Sequence, residues 1–215
     1  MKALVHIYCG DGKGKTTAAV GLAVRAAGRG VKVVIARFLK TDDSGEVEVL
    51  GKIPGIRLLP CTRQFGFTWT MDEARRQEAR EYYTEQFHKA WAAACALAER
   101  PDGESPAEAA ERFGAEHPAE AAQCPAPEPR AEAADPPGCV ALLVLDEIMA
   151  AVSGGFVPEE KLLAALDAKP AALEVVLTGR NPSEALIRRA DYVTEMRAVK
   201  HPYDHGTGAR KGIEY

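Results

Sequence analysis

The residues best suited to chemistry stand near the start of the chain, at Gly10-Asp11-Gly12-Lys13-Gly14-Lys15-Thr16-Thr17. Glycines at this spacing let successive backbone N–H groups turn toward one anion, because no Cβ stands in the way. Where such a loop opens a helix, the helix N-terminus adds roughly half a positive charge. Lys15 can then reach phosphate oxygens as a point charge, and the Thr16 hydroxyl suits the Mg²⁺ that polyphosphates carry. The spacing predicts a nucleoside triphosphate site. The pattern G-x-x-x-x-G-K-[ST] is met except at its first glycine, which is Cys9. A dinucleotide fingerprint fits less well, since G-x-G-x-x-G from Gly10 requires glycine where Lys15 stands.

A second chemical element is Leu142-Leu143-Val144-Leu145-Asp146-Glu147, an apolar run closed by two carboxylates. In open parallel sheets ligands sit outside the carboxyl ends of the strands, so this pair should face the same crevice as the loop. A carboxylate there can hold Mg²⁺ directly or through water.

The elements that must position these groups alternate along the chain. Ala3 to Tyr8, Val31 to Phe38, Ile56 to Leu59, Val140 to Leu145, Leu173 to Leu177 and Asp191 to Met196 read as strands. Thr16 to Arg29, stopped at Gly30, reads as an Ala-rich helix, and Pro158 to Ala168 as an amphipathic one. Thr70 is the expected cap of a long helix with Asp72 and Glu73 in its first turn, and Asn181-Pro182 should open a short one. Along the long helix Tyr83, Phe87, Trp91, Ala94 and Leu97 recur at helical spacing and read as core. Strands separated by helices imply an α/β fold, a mostly parallel sheet covered on both faces.

The 215 residues, 47% hydrophobic and 27% charged, are those of one globular domain. Pro101 to Gly138 interrupts it with eight of the fourteen prolines, eleven alanines and seven glutamates. That stretch carries −7 while the rest carries +3, and it has too few large apolar residues to offset ordering entropy. It reads as a disordered, solvent-facing insertion with a short helical patch near Glu108 to Phe113. The net charge of −4 gives no field to attract nucleic acid. No apolar run approaches the roughly 20 residues that span a bilayer, and no secretory leader is read. Five scattered cysteines without a C-x-x-C pair suggest free thiols in a reducing cytoplasm. His201, Tyr203, Asp204 and His205 lack a helix to align them, so they read as a structural or nucleotide-covering tail rather than a metal site.

Several separated stretches together resemble one family, the P-loop class of corrinoid adenosyltransferases, over nearly the whole chain outside the insertion. They are GDGKGKTTAAVGLAVRAAGRG, VVIARFLK, GFTW at Gly66 to Trp69, VLDE at Val144 to Glu147, TGR at Thr178 to Arg180, and the tail VKHPYDHGTGARKGIEY. The resemblance implies a P-loop NTPase-like fold and transfer of the 5′-deoxyadenosyl group of ATP to the Co(I) of a corrinoid, with release of triphosphate. Carried over by position, Gly10 to Thr17 hold the nucleotide, Thr16 and Glu147 the Mg²⁺ or Mn²⁺, and Asp146 supports them from behind. Lys15 and Arg180 serve the departing triphosphate, and Phe67 and Trp69 lie at the corrin. Asp11 stands where the family leads one to expect asparagine, which puts a nucleobase or ribose contact by that side chain in question. A homodimer and an electron-donating flavoprotein partner are further implications. The loop and Asp146-Glu147 alone would serve an ATP hydrolase, a small-molecule kinase or a non-catalytic nucleotide switch equally well.

Overall fold

A computed structural model of the chain describes residues 2–40, 42–66, 71–99 and 141–213. The expected insertion, its helical patch, Phe67, Trp69, Thr70, Cys124 and Cys139 lie outside the described residues. Among the described residues six strands form one sheet in the order β3-β2-β4-β5-β1-β6, every pair parallel. They are β1 (Val5–Cys9), β2 (Lys32–Arg37), β3 (Ile56–Leu58), β4 (Ala141–Asp146), β5 (Leu173–Thr178) and β6 (Tyr192–Glu195). The helices are α1 (Lys15–Ala27), α2 (Gly45–Leu50), α3 (Glu73–Ala98), α4 (Ile148–Ser153), α5 (Glu159–Asp167) and α6 (Glu184–Arg189).

Alternation along β2 assigns each residue to a face. Val33 and Ile35 pack with Ala19 and Ala23 of α1, while Val34 and Ala36 pack with Phe87 and Ala90 of α3 on the other side. Central strands clothed on both faces must be apolar throughout, and β4 is buried at all six positions. All four residues of β6, at the sheet edge, are exposed.

Tyr83, Phe87, Ala94 and Leu97 of α3 are core residues, and Trp91 packs against them half-buried. The cap of α3 differs from expectation: Asp72 accepts from the Arg75 N–H at 2.8 Å, and the helix starts at Glu73. A carboxylate at the first turn also complements the helix dipole, which favours Asp72 in this role. Helix α1 stops at Gly28, two residues before the expected glycine. The short helices α2 and α4 carry no periodic signal long enough to be read from the sequence.

Candidate active site

β1 ends at Cys9 and α1 begins at Lys15, so the glycine loop turns at the carboxyl edge of the sheet. Gly10 and Gly14 take φ of +108° and +118°, which a side chain disfavours. Close packing is a second reason for glycine here. The Gly12 N–H donates to the Met196 carbonyl at 2.7 Å, and the Met196 N–H donates to the Cys9 carbonyl at 2.8 Å. A Cβ on Gly10 would lie 2.3 Å from the Met196 carbonyl oxygen, and one on Gly12 would lie 2.8 Å from backbone atoms of Met196 and Arg197. Asp11 adds to this clamp, its Oδ1 accepting from the Ala198 N–H at 3.0 Å. That hydrogen bond holds the Asp11 carboxyl below its ordinary pKa.

Ala18 closes the first turn of α1 by donating to Gly14 at 2.8 Å. The N–H groups of Lys15, Thr16 and Thr17 ahead of it have no partner within the helix, as at any helix N-terminus. Lys15 is only 8% exposed, and its Nζ folds back to donate to the Gly12 carbonyl at 3.0 Å. Burial lowers its pKa; Glu147 opposes the shift, and the charges of Arg180 and Lys40 add to it. Arg180 itself is exposed beyond β5, near enough that its charge is felt at both Lys15 and Asp11.

Because β5 lies between β4 and β1, its last residue bridges the acidic strand and the loop. Thr178 Oγ1 donates to Asp146 Oδ1 at 2.7 Å and accepts from the Glu147 N–H at 2.9 Å. Thr16 Oγ1 donates to the same Asp146 oxygen at 3.0 Å. With its proton so committed, Thr16 presents lone pairs, and Lys40 Nζ donates to it at 2.7 Å and to Asp146 Oδ2 at 2.5 Å. Asp146 is 2% exposed, so its charge depends on these partners. Glu147 is half-buried, in a left-handed conformation at φ +61°, and opens α4.

One cleft of about 1080 Å³ runs from Thr16, Thr17 and Lys40 to Phe65, Gly66 and Tyr83, with Ile213 of the tail also lining it. Its far wall is rigid. Tyr83 packs against Phe38, Phe65 and Phe156 with ring centroids 6.1, 5.6 and 5.8 Å apart. Arg75 Nε donates to the Phe65 carbonyl at 2.9 Å, tying the segment before Phe67 to α3.

The structure thus brings Gly10 to Thr17, Glu147 and Arg180 to one edge. Lys13 is exposed there, and Phe67 and Trp69 fall outside the described residues. Lys40, the Thr178 hydroxyl and the Met196 backbone belong to the site and were not singled out from the sequence. The signal for Lys40 was its place just past an apolar strand at the carboxyl edge. In the tail, His201 Nδ1 accepts from the Tyr203 N–H at 3.2 Å within a 3₁₀ turn. No group of three metal-ligating side chains forms among the described residues.

The profile of the ATP:corrinoid adenosyltransferases BtuR/CobO/CobP matches residues 1–215. The chain belongs to that family. This adenosyltransferase is 29% identical over 215 residues to the corrinoid adenosyltransferase of Pseudomonas aeruginosa, spanning 100% of this chain and 84% of that protein. It is 31% identical to corrinoid adenosyltransferase CobA of Salmonella typhimurium, spanning 100% and 86%. A third relative, from Sinorhizobium sp, is 31% identical and covered to 81%. Among solved structures, ATPases 2 and 3 of EssC from Geobacillus thermodenitrificans align with 99% of this chain and 36% of that one at 12% identity and a TM-score of 0.44. The fold therefore rests on the parallel sheet and its loop. As a family member the enzyme is a transferase using ATP and a corrinoid. No helix among the described residues is long and apolar enough to cross a membrane.

Proposed function

We propose that ATP binds with its triphosphate on the Gly10–Thr17 loop and its ribose C5′ toward the cleft, where a corrinoid presents Co(I). Cobalt donates an electron pair to C5′, a Co–C bond forms, the C5′–O bond breaks, and triphosphate departs with the bonding electrons. The observation that carries this reading is a cleft of about 1080 Å³ that joins the phosphate edge to an aromatic wall.

The residues fit the chemistry of a leaving triphosphate. Charge accumulates on the phosphate oxygens as C5′–O breaks, so donors fixed around them act most strongly in the transition state. Lys15, held by burial and by the Gly12 carbonyl, is one such donor, and comparable preorganised donors are worth about 3 kcal/mol of barrier. Arg180 supplies a second positive charge from the end of β5. The oxygens of Thr16 and Glu147 suit a Mg²⁺ or Mn²⁺ ion, and the Lys40 ammonium already lies against the Thr16 hydroxyl as a cation would. Such an ion would supply charge neutralisation to the triphosphate. Asp146 accepts the hydrogen bond of the Thr16 hydroxyl and so orients its lone pairs.

The family resemblance assigns Phe67 and Trp69 to the corrin, where apolar rings would displace the lower axial ligand of cobalt and ease its reduction. The family resemblance supports a cytoplasmic homodimer fed by a flavoprotein.

One assay tests the reading: incubation with ATP, Mg²⁺ and chemically reduced cobalamin, followed by product analysis. Triphosphate and a light-sensitive Co–C product are expected, whereas ADP would mark a kinase or ATPase. In the same assay Trp69→Ala should lose more activity starting from Co(II) than from pre-formed Co(I). Equal losses would remove Trp69 from the reduction step.

A further inference from the structure

Lys40 is delivered to the site by a segment braced on every side. β2 ends at Arg37, which stands opposite Asp146 in the register, and the Phe38 N–H donates to the Asp146 carbonyl at 2.9 Å. Leu39 then takes a left-handed φ of +53°, a conformation that a branched side chain adopts only where its surroundings enforce it. Arg37, 1% exposed, pairs with Asp42 on the far side of Lys40. Asp42 in turn accepts from the Cys61 N–H at 3.1 Å, and Cys61 Sγ donates to the Lys40 carbonyl at 3.0 Å. Backbone strain and three cross-links therefore converge on a single residue. Its ammonium ends at Thr16 Oγ1 and Asp146 Oδ2, while Thr16 also belongs to the ion site argued above.

An ammonium and a divalent ion cannot both lie against the same hydroxyl, since like charges a few ångströms apart repel strongly in a partly buried site. We propose that Lys40 is a positioning residue that, anchored on Asp146, competes with the divalent ion for the Thr16 hydroxyl. On this view it holds both side chains in register until the metal and triphosphate arrive, then swings into the cleft it lines. The inference rests on the metal reading given under Proposed function.

Mn²⁺ binding to the whole protein without corrinoid, followed by electron paramagnetic resonance, tests it. Lys40→Met should bind Mn²⁺ at least about tenfold more tightly than the native protein, because the competing charge is gone. Lys40→Arg, which keeps the charge, should not gain. A role confined to structure would loosen the site and weaken binding instead. Labelling of the native protein with an amine-acylating reagent, read by mass spectrometry, gives a second test independent of folding of the variant. Mn²⁺ should raise labelling at Lys40 and leave the exposed Lys52 unchanged. Equal or weaker Mn²⁺ affinity in Lys40→Met, or Lys40 labelling insensitive to Mn²⁺ that binds, overturns the competition and leaves the ion site standing. Mn²⁺ bound by neither protein, with or without ATP, overturns both.

Discussion

β4 and β6 both end beside the phosphate loop, and they support it by different means. β4 is buried along its length and delivers a carboxylate, Asp146, that survives in the interior only because Thr16, Thr178 and Lys40 meet it. β6 is exposed along its length and delivers only backbone, the Met196 amide and carbonyl that grip Cys9 and Gly12. A central strand can position charge, because neighbours on either side supply partners; an edge strand positions the chain itself. On the β6 side the constraint therefore falls on the glycines opposite, and on the β4 side it falls on the polar side chains.

The comparison breaks most visibly at Gly10. Gly10→Ala puts a Cβ 2.3 Å from an unyielding carbonyl at a φ of +108°, so a loss of about 3 kcal/mol or more is expected, with ATP binding abolished. Gly14→Ala, whose nearest contact is the flexible Met196 side chain at 3.6 Å, should cost less. Thermal melts with and without ATP rank the two; equal losses would mean that conformation alone, and not the β6 clamp, demands glycine.

An intermediate effect is expected on the β4 side. Thr178→Val strips a donor from buried Asp146 and an acceptor from the Glu147 N–H, a loss of roughly 1–3 kcal/mol by urea denaturation. Thr178→Ser should recover most of it. If serine and valine behave alike, the hydroxyl is not what steadies Asp146.

The smallest effect belongs to Asp11, which is exposed. Its folded pKa lies below the ordinary 3.8, so its charge adds stability above that value and the gain is lost as pH falls through the folded pKa. Asp11→Asn keeps an acceptor for the Ala198 N–H without the charge. Its melting temperature should sit slightly below the native one at pH 7 and converge with it in acid. A gap that stays constant as the pH is lowered would point to a different role.

Much of the sheet was legible because central parallel strands must be apolar throughout, and all six predicted ranges end within a residue of the observed strands. The loop was legible for a related reason, since alternating glycines before Lys15 and Thr16 have few other uses. What escaped was long-range. Lys40 lies 106 residues from Asp146 in sequence, and a lysine after a strand is ordinarily solvated. The grip of Met196 on the glycine loop left no local trace, because backbone contacts do not depend on residue type. Helix α2, GEVEVL, alternates like a strand and is set as a helix by its surroundings.

The bond from Ala198 to Asp11 spans 187 residues. Synthesis makes the glycine loop well before the segment it leans on, which follows 187 residues later. A nascent chain would therefore carry a slack, uncommitted loop until Met196 and Ala198 have emerged, and competence for nucleotide would come only then. Stalling the ribosome before and after residue 198 is exposed would separate the two conditions.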